Sequence, residues 1–320
     1  MITVLAGGVG AARFLQGLIA VVPPSEVTVI SNTGDDLELF GLHISPDTDI
    51  VLYHLAGLAD EKRGWGISRD TFKTVDALGR FGYPTWFRLG DRDLATVIHR
   101  SALMSQGRTL SQATAKLAKE FDIECRIIPM CDEFVPTMVE TDEGLLEFQR
   151  YFVERHAKDK IHRIHFPGVK RAHPSPGVLE AIKEAEAVIV APSNPLVSIG
   201  PILAVPGLRD ALRSTEAKVA AITPIVKGAA LKGPADRMLR DVGLEASAKT
   251  IARLYRDFLD LFVIDRKDAK LETEIRNLPG PEERPGLDVI ATDTIMKNLR
   301  AKKSLARAVL TAATGQEWPG

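Results

Sequence analysis

Ile2-Thr3-Val4-Leu5-Ala6-Gly7-Gly8-Val9-Gly10-Ala11-Ala12-Arg13 opens the chain. Ile2–Ala6 runs without polar alternation, as a strand buried on both faces does. Glycines follow, and then a stretch that suits a helix over Ala11–Val21. Glycine in such a turn permits positive φ and close backbone approach. The start of the helix offers free N–H groups and the positive end of a dipole. Gly7, Gly8 and Gly10 are therefore candidates to cradle a phosphate. The turn is not a dinucleotide fingerprint, because Arg13 stands where a third glycine belongs and the next strand ends in Ser31-Asn32 without an acid. It is not a P-loop, because no Gly-Lys-Ser/Thr follows. Arg13, read in the first helical turn, opposes the dipole unless it pairs with a bound anion.

Outward from this turn, similar Val/Ile-rich runs recur at Val27–Ile30, Glu124–Ile128, Thr137–Glu140, Ala187–Ala191, Val219–Thr223, Leu261–Ile264 and Val289–Ala291, with helical stretches between them. Such alternation predicts an α/β fold with a doubly wound, mostly parallel sheet. From about 60 to 165 the pattern is mostly helical, with clear helices at Leu94–Met104 and Leu110–Phe121, a hairpin after Glu133 and a helix over Leu145–Lys158. The expected division is a core of residues 1–60 and 165–315, with 61–164 as a mostly helical insertion. Pro-rich segments at 167–176 and 278–285 read as loops.

At the carboxyl edge of the second strand lies Ser31-Asn32-Thr33-Gly34-Asp35-Asp36. Asp35 and Asp36 beside a phosphate cradle would repel unless a cation lay between, and hard carboxylate oxygens suit Mg²⁺. The same residues are also good turn chemistry. Asp47 and Asp49 offer further acids. After Ala187–Ala191 comes Asn194-Pro195-Leu196-Val197-Ser198-Ile199-Gly200-Pro201, where Ser198 can cap a helix and Pro201 suits its first turn. That predicts a second phosphate-accepting helix start. Lys227 and Lys232 follow the next strand and either face phosphate or stay solvated. In Gly90-Asp91-Arg92-Asp93, either acid can cap the following helix, and nearby Trp65, Phe72, Tyr83 and Trp86 either stack on a flat ligand or fill a core.

The chain has 320 residues with 41 basic and 42 acidic side chains, so no charge excess points to nucleic acid or a membrane surface. Only Cys125 and Cys131 are present, which suggests a reducing compartment. With no secretory leader and no long apolar run, a cytoplasmic location is expected.

The set Gly7–Arg13, Ser31–Asp36, Gly90–Thr96, Asn194–Leu203 and Lys232-Gly233-Pro234-Ala235 resembles the 2-phospho-L-lactate transferase family of coenzyme F420 biosynthesis, over nearly the whole chain. The resemblance implies a Rossmann-like fold with a helical subdomain, a Mg²⁺ requirement and a homodimer. It implies transfer of a lactyl or enolpyruvyl phosphate group from a guanosine diphospho donor to the deazaflavin Fo, with release of GMP. Gly7, Gly8, Gly10, Arg13, Asn194, Pro195, Ser198, Ile199 and Lys232 would hold the guanosine diphosphate. Asp35 and Asp36 would be catalytic and, with Asp49, bind metal. Asp91, Trp65, Asn32 and Thr33 would meet Fo. The alternative is a non-enzymatic nucleotide-sugar-binding regulator with the same fold and glycine-rich start.

Overall fold

The computed structural model describes every residue except Glu283, Pro285, Pro319 and Gly320; the first two belong to the expected 278–285 loop and lie outside the described residues. The strands are β1 (Ile2–Ala6), β2 (Val27–Ser31), β3 (Leu37–Leu39), β4 (Leu42–Ile44), β5 (Arg126–Pro129), β6 (Met138–Thr141), β7 (Gly144–Glu147), β8 (Ile161–His165), β9 (Ala187–Val190), β10 (Lys218–Ile222), β11 (Ile225–Val226), β12 (Ala229–Ala230), β13 (Leu261–Asp265) and β14 (Asp288–Thr292). The helices that position the site are α1 (Gly8–Leu18), α2 (Pro46–Leu55), α3 (Lys73–Arg80), α4 (Asp91–Ser105) and α5 (Leu110–Glu120).

Seven strands form one sheet in the order β14-β13-β10-β9-β1-β2-β5. Every pairing in it is parallel. Residues β1, β2, β9 and β13 are buried along their whole length, which is why their sequences run apolar without alternation. One apolar cluster, with Leu5, Ile30 and Val190, covers one face. A second, with Val4, Val29 and Ile189, covers the other. The chain leaves β1 toward β2 and β5, then returns on the opposite side through β9. The reversal falls between β1 and β9, and the loops after these two strands flank the crevice where ligands bind in such sheets.

Close contact fixes this crevice. A Cβ on Gly10 would stand 2.1 Å from the Pro192 carbonyl oxygen, so α1 rests directly on the loop after β9. A Cβ on Gly17 would stand 2.3 Å from the Lys302 carbonyl oxygen, which lets the helix Leu299–Thr314 lie against α1.

Residues 61–164 are less uniformly helical than expected. They hold α3–α5, but also β5 of the main sheet and a separate sheet in the order β7-β6-β8. The helix expected over Leu145–Lys158 is a strand followed by a π-type turn at Arg150–Glu154. Pairing of Met138 with Glu147 and Thr141 with Gly144 draws its first residues into a hairpin. At the sheet's open margin β5 ends on Pro129 between exposed Glu124, exposed Arg126 and Met130, whose N–H bonds Ser31 O on β2.

Because its new methyl would meet backbone, Gly10→Ala should cost about 1–3 kcal/mol in urea unfolding. Unchanged stability would show that the loop after β9 is free to move away from α1.

Candidate active site

Asp35, Asp36 and Asp47 are each less than a tenth exposed and lie together where β1 and β2 end. Asn32 organises them from a fully buried position. Its Nδ2 donates toward Asp35 Oδ1 (3.1 Å), Asp47 Oδ2 (2.8 Å) and Val197 O (3.2 Å), while its Oδ1 accepts from Gly34 N (2.9 Å). An amide has only a pair of N–H bonds to share among those acceptors. Asp35 Oδ2 accepts from Gln149 Nε2 at 3.0 Å. Asp36 Oδ2 accepts from Ser45 Oγ (2.7 Å) and faces His43 Nε2 (2.9 Å), and its Oδ1 is buried without a partner. Asp47 accepts from the N–H of Gly8, so the head of α1 holds a carboxylate of the protein itself. Burial, then the charge of Asp47, pushes the Asp35 carboxyl well above the usual range. Burial also raises Asp36, with His43 opposing, and lifts Asp47 to about 7.

The glycine turn is shaped for this cluster. A Cβ on Gly7 would lie 2.7 Å from Asp47 Oδ2 and 2.7 Å from Ser198 Cβ. Gly8 adopts φ 71°, the left-handed region that favours glycine. The loop after β9 forms the opposite wall. Asn194 Oδ1 accepts from Leu196 N (2.9 Å), and Asn194 O accepts from both Ser198 N (3.0 Å) and Ile199 N (3.0 Å). The second helix start expected here therefore has those N–H groups already engaged. Ser198 does not cap the short helix Gly200–Ala204, Ile199 is a core side chain, and Pro195 is buried.

Arg13 lies in the second turn of α1, because the helix begins at Gly8 and not at Ala11. Its Nη2 donates to Glu61 O (3.2 Å) and its Nε is buried without a partner. Lys232 is an exposed residue, and partial desolvation of its amine followed by the charge of Arg13 lowers its affinity for a proton. These cations share one neighbourhood with Glu61, which pairs with Lys302 at 2.9 Å.

Several expected roles need correction. Asp49 is not placed as a metal ligand: the fully buried Arg100 of α4 grips both its oxygens, with Nη1 to Oδ2 at 3.0 Å. Asp91 does not cap α4. It caps α3 by accepting from Thr74 N (2.9 Å) and Lys73 N (3.2 Å), and the Thr71 hydroxyl with these N–H groups holds its carboxyl well below the usual range. Asp70 caps α4 in return through Arg92 N (3.0 Å) and Asp93 N (3.0 Å). Asn32 has no free donor for a deazaflavin, and Thr33 is buried beside Cys131. Trp65 is 41% exposed and carries the Arg63 guanidinium 4.5 Å above its ring. Asp93 bonds Tyr53 Oη at 2.6 Å, and burial lifts its carboxyl to about 7. Sequence reading missed His43, seven positions beyond Asp36, and Gln149 and Arg100, which reach the acids from distant segments. Among the described residues no helix is long and apolar enough to cross a membrane.

This is a doubly wound α/β protein whose polar groups converge at the topological switch of its sheet. The chain belongs to the CofD 2-phospho-L-lactate transferase family, whose model matches residues 2–300. It is 39% identical to a 2-phospho-L-lactate transferase of Methanosarcina mazei, over 97% of this chain and 99% of that one. It is 42% identical to a phosphoenolpyruvate transferase of Kitasatospora aureofaciens, over 98% and 97%. In fold it is similar to a crystal structure of a UPF0052-family protein from Bacillus halodurans, with TM-score 0.64, 15% identity and coverage of 97% and 99%. A transferase family at this identity favours the enzymatic reading over the regulator.

Asp49→Ala strands a buried guanidinium, so it should lower stability by about 3–5 kcal/mol. A fully stable variant would return Asp49 to the functional candidates. The carboxyls of Asp47 and Asp93 stand near 7 when folded against 3.8 as free groups, so the folded chain holds protons that the unfolded chain releases. Their contribution to stability is full below the ordinary carboxylate range and is lost as pH rises through about 7. The unfolding temperature of metal-free protein should fall from about pH 5 to about pH 7.5; a rise would show the acids ionised and compensated.

Proposed function

We propose that this chain transfers a 2-phospholactyl or enolpyruvyl phosphate group from a guanosine diphospho donor to the terminal ribityl hydroxyl of Fo. GMP leaves, and coenzyme F420-0 or its dehydro form results. The observation that carries this reading is the cluster of Asp35, Asp36 and Asp47, buried beside the Gly7-Gly8 turn with fewer donors than oxygens. The names of the relatives support the group transferred.

The cluster fits a Mg²⁺ ion. Asp35 and Asp47 share a single amide donor and repel each other, and their hard oxygens suit that cation. Among the described residues no three or more His, Cys, Asp or Glu side chains are spaced to hold a metal unaided. Mg²⁺ commonly takes one or two carboxylates together with waters and substrate phosphates. Asp35 and Asp47 would hold it. When bound it supplies neutralisation of the charge that develops on the phosphate.

The remaining work falls to positioning. Gly8 keeps the floor of the crevice low enough for a diphosphate, Gly7 and Gly10 let Asp47 and the loop after β9 close in beside it, and the loop Asn194–Ile199 walls it. Arg13 and Lys232 attract the anionic donor. Trp65 with Arg63, on the loop that Asp70 and Asp91 brace, offers a flat surface for the deazaflavin. Asp36 has an unpartnered Oδ1 and a raised affinity for protons, so it takes the hydroxyl proton. The hydroxyl oxygen then bonds the phosphorus that carries the three-carbon acid, and the bond from that phosphorus to GMP breaks.

Asp36→Asn should lower kcat about 10²–10⁴-fold, with thermal unfolding unchanged or raised because a buried charge is gone. Retained turnover would remove Asp36 from the proton transfer. Excess chelator should stop the reaction, and full activity in chelator would eliminate the metal. Binding should change Fo fluorescence; no change at saturating protein would end the deazaflavin assignment. Mass spectrometry of the product from each donor distinguishes lactyl from enolpyruvyl transfer.

A further inference from the structure

One side chain from the small β7-β6-β8 sheet reaches the acidic cluster. Gln149 lies just after β7, is 6% exposed, and donates from Nε2 to Asp35 Oδ2 at 3.0 Å. Its neighbourhood is braced against the same loop. Thr137 N donates to Gly34 O (2.6 Å), and Phe148 N donates to Thr137 O (2.9 Å). The residue before Gln149 is thus tied, through Thr137, to the residue before Asp35. Gln149 is therefore held to the loop independently of its own hydrogen bond.

The effect on Asp35 follows from counting donors. Its Oδ1 has only a share of Asn32 Nδ2, which Asp47 Oδ2 and Val197 O also draw on. The Gln149 amide is the other side-chain donor to this carboxylate. It fixes the plane of the carboxylate and so the direction in which its free lone pairs face a cation.

We propose that Gln149 is a positioning residue for the divalent cation, acting through Asp35 and not by touching the ion. This rests on the reading of Asp35 as a ligand. Loss of such an outer hydrogen bond typically weakens metal affinity about 10–100-fold.

The test is titration of the full-length protein with Mn²⁺ in the presence of GDP, which supplies the phosphate oxygens, with free ion followed by electron paramagnetic resonance. Wild type, Gln149→Leu and Gln149→Met are compared, and thermal unfolding in chelator reports the fold. The expected result is Mn²⁺ binding by wild type, a Kd raised about 10–100-fold in Gln149→Leu, and similar unfolding of both in chelator. Lost turnover should return at high Mn²⁺, so that the metal requirement moves more than kcat. If Gln149→Leu does not fold, Gln149→Met, closer in shape, carries the comparison. Wild-type binding with unchanged affinity in the variant overturns this inference alone. Failure of wild type to bind Mn²⁺ overturns it together with the metal reading. Unfolding of both variants assigns Gln149 to the fold and overturns it as well.

Discussion

Burying several carboxylates in one space is unfavourable unless donors or cations answer them. The residues around Asp35, Asp36 and Asp47 are arranged by that requirement. Donors come from Gly8 after β1, Asn32 after β2, Ser45 and His43 before α2, and Gln149 after β7. Gly8 and Gln149 lie far from these acids in sequence, so the cluster is complete only once the sheet, α2 and the small sheet are in place. The absence of a side chain at Gly7 leaves room for Asp47, and the same absence at Gly10 brings in the wall that closes the far side. The donors still fall short of the oxygens, and Asp36 Oδ1 is left buried without one.

Asp47 and Asp49 show how finely the helix divides roles. They stand two residues apart on α2, and positions at that spacing do not share a helix face. Asp47 meets the glycine turn, while Asp49 meets Arg100 on α4. One acid therefore serves the crevice and the other ties α2 to α4. The sequence Ser-Pro-Asp-Thr-Asp carries both carboxylates, but nothing within it says which is which.

The sheet was legible because its strands are buried on both faces and read as unbroken apolar runs. The glycine turn and the acid pair were legible because they are local and sit just after strands. What was not legible depends on distance. Gln149 meets Asp35 across 114 positions and Arg100 meets Asp49 across 51. At the expected second phosphate cradle the helix starts only at Gly200, and Asn194 O takes the N–H groups of Ser198 and Ile199 just before it. Asp91 looked like a cap for its own helix and instead caps its neighbour, an exchange with Asp70 that only the folded chain displays. The strand β7 was hidden because hairpin pairing overrode a helical pattern.

β5, one of the two outer strands of the main sheet, spans four residues, and Met130 N–H turns inward to β2. By alternation Pro129 turns its nitrogen outward, where another strand would need a hydrogen to grasp. Charged Glu124 and Arg126 flank the same margin. A strand approaching this rim therefore misses one of the N–H groups it would pair with.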